Sequence, residues 1–267
     1  QALCAIAPTR ALNPTWDPTG EIENDLREND PDNAAREIDA VPLAAGSNAF
    51  FDRSAIDAAM IEERPEVLAP VPGGSYGAAA DFAFRRDSSA LAITEAIEQL
   101  FQLARIEEQR PQKGVPLKPS AVAADFASIL TSYGVGEVAC DDHERAEIES
   151  ALVGHGVTTC SLPSGQAGKA QTFTFTRTVM REGRLKLPLH PRLKRQMQAV
   201  TARPMPGRGL AITSPRQAGG GHGDLVSALV ASVWHAAFGQ HRIAWPEPPP
   251  PPAHAAVPAA DLPFASR

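Results

Sequence analysis

Short apolar runs alternate with segments of helical periodicity from about residue 75 onward. Most of these runs are six to eight residues long and are bounded by Gly, Pro or Asp, which is typical of buried strands. The segment 98–108 fits either a helix or a hairpin strand by its periodicity, and we expect the strand. The predicted strands are therefore 76–81, 88–95, 98–108, 135–140, 157–162 and 208–213.

Helices are predicted in the intervals between these strands. The segment 120–133 places Val122, Phe126 and Leu130 on one face, and Gly134 is a typical helix terminator. This alternation of strands and helices predicts an α/β fold. The predicted helices are 120–133, 141–153, 165–182, 192–200 and 223–238.

Turn-forming residues divide the chain into three parts. Residues 1–70 form an acidic leader or linker, and a Pro/Gly cluster at 70–74 marks where it ends. The predicted main domain covers 71–244. A Pro/Ala-rich tail at 245–267 is expected to be disordered, because it has too few large apolar residues to form a core.

Composition excludes several classes of protein. Hydrophobic residues make up 43% of the chain, which is enough for a buried core, and no apolar run has the length of a membrane span. The three cysteines, Cys4, Cys140 and Cys160, show no CxxC spacing, which argues against a disulfide framework and against a zinc site. A reducing cytoplasm is the expected compartment.

Charge is distributed unevenly along the chain, whose net charge is −6. Residues 165–216 carry a net charge of +10, since they hold eleven Lys or Arg and only one acid, Glu182. We call this stretch the basic segment. It predicts either a face that binds a polyanion or an ordinary solvated surface.

Three aspartates occupy similar positions relative to the predicted elements. Asp81 and Asp141 each follow a strand, and Asp224 opens a helix after a Gly-rich turn. Such ends can converge on one edge of an α/β sheet, where clustered carboxylates are most readily held together by divalent cations. Two cations 3.5–4 Å apart carry out phosphodiester hydrolysis in other enzymes.

Each aspartate also has a purely structural interpretation. Asp141 and Asp224 stand where Asp commonly caps a helix N-terminus, and Asp81 could open a hairpin turn. His222, within the glycine-rich turn 219–224, could contact a phosphate or be a plain surface residue.

The order of several motifs makes the sequence similar to a known family. The chain resembles the C-terminal nuclease domain of the large terminase subunit, found in tailed bacteriophages, prophages and gene transfer agents. The blocks that carry the resemblance are AADFAFRRDSSAL at 79–91, VACDDH at 138–143, GRLKLPLHPRL at 183–193, SPR at 214–216 and GHGDLVSAL at 221–229.

The resemblance implies an RNase H-like fold, with a mixed sheet flanked by helices. It also implies cleavage of double-stranded DNA with two Mg²⁺ or Mn²⁺ ions. By position, Asp81, Asp141 and Asp224 match the family's metal-binding and catalytic acids, and Asp87 matches an auxiliary acid. The expected DNA-binding residues are Arg184, Lys186, Arg192, Lys194, Arg195, Arg216 and His222.

The resemblance further implies a role in packaging concatemeric viral DNA in the bacterial cytoplasm, with the portal and the small terminase subunit as partners. Family members also carry an ATPase domain, of which this chain shows no counterpart. Residues 163–170 superficially resemble a phosphate-binding loop but lack its first Gly and its final Ser or Thr. No ATPase activity is therefore expected from this chain.

Two other functions are compatible with the sequence. The chain could be a catalytically silent DNA-binding or assembly module from a truncated packaging motor. It could also be a nucleotide-binding enzyme that uses Lys169, in which case it would bind ATP.

Overall fold

The computed structural model describes residues 7–29, 34, 38–40, 49–85, 87–112, 114–205, 209–214 and 223–239. The chain divides into two compact units, Gln1–Phe50 and Phe51–Arg267. This boundary falls earlier than the predicted one at residue 70. The Pro/Ala-rich tail predicted at 245–267 lies outside the described residues.

The described residues of the first unit include the short helices α1 (Thr9–Leu12) and α2 (Glu21–Asn29). An Asp17 carboxylate oxygen accepts a hydrogen bond from the Glu23 backbone N–H at 2.9 Å, near the start of α2. Arg10 and Arg27 both form ion pairs with Glu23, at 2.7 and 2.8 Å. Exposed pairs of this kind contribute little to stability.

The second unit is built around a seven-stranded sheet with helices on both faces. Its strands are β1 (Met60–Ile61), β2 (Ser75–Asp81), β3 (Ser89–Ile97), β4 (Leu100–Gln109), β5 (Glu137–Cys140), β6 (Thr158–Ser161) and β7 (Leu185–Pro188). Its helices are α3 (Arg53–Ala59), α4 (Pro119–Ser132), α5 (Asp142–Val153), α6 (Gly165–Arg181), α7 (Pro191–Ala199) and α8 (Asp224–Phe238).

The strand order is β1-β7-β4-β3-β2-β5-β6. Strands β2, β3 and β4 form an antiparallel meander, whereas β5 pairs parallel with β2, β6 with β5 and β7 with β4. The prediction of an α/β fold with a mixed sheet flanked by helices is confirmed, and 98–108 is a strand, as expected.

Three strands were not predicted from the sequence. Strands β1 and β7 are short and pair with each other, and β1 lies within the segment assigned to the leader. A separate antiparallel hairpin joins β8 (Thr201–Pro204) to β9 (Leu210–Thr213), of which only β9 was predicted.

Alternation along β2 assigns its side chains to the two faces of the sheet. Ala78 and Ala80 pack with apolar residues of α4 and α5 in the main core cluster. Ala79 instead packs with Ala231 of α8. Gly77 and Asp81 share the α8 side of the sheet with Ala79, because the side chains alternate with a period of two.

Gly77 allows α8 to lie directly on β2. A Cβ atom at this position would lie 2.1 Å from the backbone nitrogen of Ala236 and 2.4 Å from its Cα. Since both atoms belong to the backbone of α8, no side-chain rotation relieves the overlap. The absence of a side chain at residue 77 therefore sets the distance between this helix and the sheet.

Candidate active site

Asp81 and Asp141 lie side by side at one edge of the sheet. The register pairs Ala79 of β2 with Ala139 of β5 in parallel, and each aspartate follows two residues after its paired alanine. Both carboxylates therefore lie on the side of the sheet that α8 covers. We call this end of the sheet the acid edge.

Asp224 reaches the acid edge from a helix. It is the first residue of α8, and only 3% of it is exposed to solvent. The preceding Gly223 has a φ of +88°, and a Cβ there would lie 2.9 Å from the Cβ of Ser214. This left-handed conformation favours glycine and turns the chain into the helix beside the acids.

Ser88 holds the Asp224 side chain in place. One carboxylate oxygen of Asp224 accepts hydrogen bonds from the Ser88 backbone N–H at 3.1 Å and from the Ser88 hydroxyl at 2.6 Å. The same hydroxyl lies 2.8 Å from a carboxylate oxygen of Glu108. Asp224 is thus oriented by the start of β3, a strand distant from it in sequence.

The four predicted acids line two adjoining cavities. A cavity of about 450 Å³ is bordered by Asp81 and Asp141, and a second of about 410 Å³ is bordered by Asp81, Asp87 and Asp224. Asp81 is the one predicted acid common to both. The carboxylates of Asp81, Asp141 and Asp224 are spread along this double cavity. Within the described residues, Glu137, Cys160 and His235 are the only three His, Cys, Asp or Glu side chains whose metal-ligating atoms all lie within 4.8 Å of one another.

Lys169 projects from α6 into both cavities. Burial lowers the pKa of its ammonium group, while the charges of Asp81 and Asp141 act in the opposite direction. The sequence pattern around 163–170 suggested only an incomplete phosphate-binding loop. Nothing in that local pattern relates the lysine to two strand ends, since the proximity depends on the packing of α6 against the sheet.

The arrangement of the elements is similar to that in solved large terminase nucleases of phages. The large terminase nuclease of thermophilic phage G20c aligns with a TM-score of 0.57 at 19% identity, over 70% of this chain and 98% of that chain. The Thermus phage P74-26 large terminase nuclease domain aligns with a TM-score of 0.55 at 18% identity, over 68% and 94%. This fold matches the large terminase nuclease fold.

A longer protein, of which this chain covers only part, has a similar fold in the aligned region. The HK97 bacteriophage large terminase aligns with a TM-score of 0.57 at 17% identity, over 87% of this chain and 55% of that chain. The G20c large terminase nuclease has also been crystallised with bound magnesium and with bound cobalt. No protein-family model matches the chain, and no curated protein sequence matches it.

Two of the predicted DNA-binding residues lie at the opposite edge of this terminase-like sheet. Leu185 of β7 pairs with Phe101 of β4, at the level of the first residue of β2. Arg184 and Lys186 flank Leu185 and are therefore separated from Asp81 by about 20 Å along the strands, at ~3.3 Å per residue. Arg184 donates hydrogen bonds to Glu182 and to the Gln99 carbonyl.

Other residues of the basic segment form ion pairs with acids on other elements of the fold. Arg192 lies 2.8 Å from Glu108, with side-chain exposures of 14% and 10%, and Lys194 lies 2.6 Å from Asp57. The sequence analysis left open whether the basic segment is a polyanion-binding face or a solvated surface, and this stays a prediction. In the structure its charges are spread over two edges of the sheet and are partly paired. Arg195 is exposed on α7, whereas Arg216 and His222 lie outside the described residues.

Two basic residues near the predicted acids were not assigned to the nuclease site by the sequence analysis. Arg85 is exposed in the loop between β2 and β3, close in sequence to Asp81 and Asp87. Lys169 is the other. The charge count that defined the basic segment could not identify Arg85, because that residue lies outside it.

No helix in the part of the chain that the structure describes is long and apolar enough to cross a membrane.

We expect Arg192→Met to reduce stability without changing the salt dependence of DNA binding. Burial acts to raise the pKa of Glu108, but hydrogen bonds from Arg110 and Arg192 outweigh it and hold that pKa below its ordinary value of 4.5. Loss of one partner should lower the free energy of unfolding by about 1–3 kcal/mol. Urea unfolding measures this change.

A double-mutant cycle with Glu108→Gln separates the ion pair from a role in DNA binding. A structural pair gives a coupling energy of roughly 0.5–3 kcal/mol between the two positions. A phosphate contact would instead reduce the salt slope of DNA binding by about 1 in Arg192→Met. A reduced salt slope in Arg192→Met, together with no coupling energy between residues 192 and 108, would contradict the structural assignment. In the wild type, the stabilisation from Glu108 is present above pH 4.5 and is lost as the pH falls through its lowered pKa.

Proposed function

We propose that this protein is a divalent-metal-dependent endonuclease that cuts double-stranded DNA. The observation that carries the proposal is the position of Asp81, which lines both cavities of the acid edge while Asp141 lines one and Asp224 the other. One shared carboxylate with a further carboxylate on each side is the donor arrangement that a two-ion site needs. The likeness to terminase nucleases supports the same proposal.

The residues at the acid edge fit hard divalent cations. Asp81, Asp141 and Asp224 offer only oxygen ligands, which Mg²⁺ and Mn²⁺ prefer, and Asp87 adds an auxiliary carboxylate at the second cavity. We propose that these residues would hold two ions. Bound there, the ions would supply an activated water and stabilisation of the leaving oxygen.

The remaining groups of the site would position the acids and the substrate. The Ser88 hydroxyl and backbone N–H fix the Asp224 carboxylate, so that it needs little reorganisation on binding. Lys169 places a positive charge beside Asp81 and Asp141, where a phosphate oxygen could be bound. Its lowered pKa reflects the partial exclusion of water from this side of the cavity.

DNA would be held mainly through its phosphates. Arg195 on α7 and Arg85 in the β2–β3 loop are exposed, and Arg85 is four residues from Asp81 along the chain, so both are suited to backbone contacts. Such binding is largely independent of sequence and weakens with salt. We further propose that the substrate is concatemeric viral DNA during genome packaging in the bacterial cytoplasm, with the portal and small terminase subunit as partners.

A supercoiled-plasmid assay tests the proposed activity. Wild-type protein should nick and linearise the plasmid with Mg²⁺ or Mn²⁺, and EDTA should stop the reaction. Salt-sensitive plasmid binding without cleavage under either metal would instead support the catalytically silent DNA-binding module. Measurable ATP affinity that Lys169→Ala abolishes would support the nucleotide-binding enzyme.

We expect Lys169→Met to slow plasmid cleavage by about 100-fold, the usual effect of removing one group that stabilises developing charge. The substitution keeps an apolar stem in the cavity wall and removes only the charge, so the fold should be retained. Initial rates at saturating Mn²⁺ measure the effect. Lys118→Met, an exposed site before α4, is the matched control, and equal rates for the two variants would exclude a role for Lys169.

A further inference from the structure

A second group of ligand-type side chains lies on the same face of the sheet, away from the acid edge. Glu137 opens β5, Cys160 lies in β6, and His235 belongs to the last turns of α8. Their ligand atoms all lie within 4.8 Å of one another. Asp141 directly follows β5 and lies four residues after Glu137, which separates the two sites by about 13 Å at ~3.3 Å per residue.

The His235 ring is oriented by the backbone of β2. Its Nδ1 atom lies 2.9 Å from the carbonyl oxygen of Ala78 and 3.1 Å from the backbone nitrogen of the same residue, so Ala78 can accept from Nδ1–H or donate its N–H to an unprotonated Nδ1. Metal binding at Nε2 requires the first of these two tautomers. In the tautomer that donates Nδ1–H to this carbonyl, Nε2 presents a lone pair toward Cys160 and Glu137. A backbone carbonyl that fixes the far nitrogen is the usual support of a metal-ligating histidine.

The spacing of the three groups matches tetrahedral coordination. The Nε2 atom of His235 lies 3.6 Å from the Cys160 sulfur and 3.3 Å from a Glu137 carboxylate oxygen. Tetrahedral Zn²⁺ with ordinary bond lengths places nitrogen and sulfur ligands about 3.6 Å apart, and nitrogen and oxygen ligands about 3.4 Å apart. Both separations are therefore already close to those of a bound site.

The site is accessible and electrically balanced. A cavity of about 280 Å³ is bordered by Glu137 and His235 and leaves space for water as a fourth ligand. A divalent ion held by a thiolate, a carboxylate and a neutral imidazole gives a net charge of zero, which suits side chains that are only 10% exposed at His235 and 26% at Glu137.

We propose that Glu137, Cys160 and His235 form a binding site for a borderline-soft divalent ion, with Zn²⁺ as the best match. The thiolate and imidazole ligands distinguish it from the all-oxygen acid edge, because soft and borderline ligands favour zinc over magnesium. Binding releases the Cys160 thiol proton to solvent as the sulfur–metal bond forms. The absence of CxxC spacing does not exclude this site, since its ligands come from three separate elements.

The bound ion would link α8 to β5 and β6. Asp141 directly follows β5, and Asp224 opens α8. The ion would therefore connect the strand that leads to Asp141 with the helix that begins at Asp224. The site would thus be structural, holding the helix against the strands at the end remote from the acid edge.

Titration of the metal-free full chain with Co²⁺ tests the proposal. Cobalt replaces zinc in tetrahedral sites and gives a thiolate-to-metal charge-transfer band, which the acid edge cannot produce because it offers no sulfur. We expect the band to saturate at one ion per chain and to be displaced by Zn²⁺. The absence of any such band would overturn the proposal.

Variants assign the band to the site. Cys160→Ser should abolish it and His235→Asn should weaken Zn²⁺ binding by more than about 100-fold, since even outer partners of metal ligands contribute 10–100-fold. Asn can still donate to the Ala78 carbonyl, which preserves the local packing. Cys140→Ala and Cys4→Ala are the thiol controls, and persistence of the band in Cys160→Ser would overturn the assignment.

Two further measurements keep this site distinct from the proposed nuclease. Asp81→Asn should retain the cobalt band unchanged, so loss of cleavage and loss of zinc binding can be observed separately. Zn²⁺ should raise the thermal unfolding midpoint of wild-type protein and of Asp81→Asn but not of Cys160→Ser. An equal shift in all three would assign the stabilisation to another site and contradict the structural role.

Discussion

Asp81→Asn should reduce metal-dependent plasmid cleavage by at least about 10³-fold, because loss of several kcal/mol of metal-based stabilisation has an effect of this size. Asp81 is the acid for which we expect the largest effect, since it borders both cavities whereas Asp141 and Asp224 each border one. The amide retains the size of the side chain and removes its charge. Initial rates with Mn²⁺ measure the loss.

Asp125→Asn is the matched control for this substitution. Its carboxylate is exposed on α4 and accepts a hydrogen bond from Gln109 at 2.9 Å, and neither residue lines either cavity. We expect this variant to cleave at the wild-type rate, and Asp81→Asn to bind DNA at least as tightly as wild type because a negative charge is removed. Wild-type cleavage by Asp81→Asn would rule out the proposed site.

Gly77→Ala should lower the free energy of unfolding by about 3 kcal/mol or more, at the upper end of the usual cost of overpacking. The new methyl group would overlap the backbone of Ala236, so α8 must move away from β2. Because α8 carries Asp224, cleavage should fall as well. Urea unfolding followed by circular dichroism measures the stability.

Gly136→Ala provides the comparison for Gly77→Ala. A Cβ at residue 136 meets no atom within 4 Å, and its φ is not in the left-handed range. This variant should be as stable as wild type or slightly more stable, by about 0.4–1 kcal/mol, through its effect on the unfolded chain. If Gly77→Ala were equally stable, the close packing of α8 on β2 would not be a constraint.

The sequence was informative about the acid edge for a physical reason. Strand ends and helix starts leave local signals, namely the apolar runs before Asp81 and Asp141 and the glycines before Asp224. Parallel strands then bring such ends to one edge, so the gathering of these acids was predictable. The exact spread of the carboxylates over two cavities was not, because it depends on how α6 and α8 pack.

Features that depend on distant pairs were not predictable from one sequence. The ion pairs of Arg192 and Lys194 involve Glu108 and Asp57, which are far away along the chain, so counting charges in one segment overestimated its exposed positive charge. Strands β1 and β7 were missed because each is short and is stabilised by pairing with strands that are distant in sequence. The same limitation concealed Glu137, Cys160 and His235, which come from three elements.

The late position of α8 has a consequence for synthesis on the ribosome. A nascent chain already has the strand bearing Asp81 when Asp224 has yet to be translated, and at ~5–20 residues per second the delay is roughly 10–30 s. Until α8 emerges, the face of β2 that carries Gly77 and Asp81 lacks its cover and the cavities lack a wall. If the protein is the nuclease proposed above, newly made chains would therefore be unable to cut DNA until translation has passed this helix.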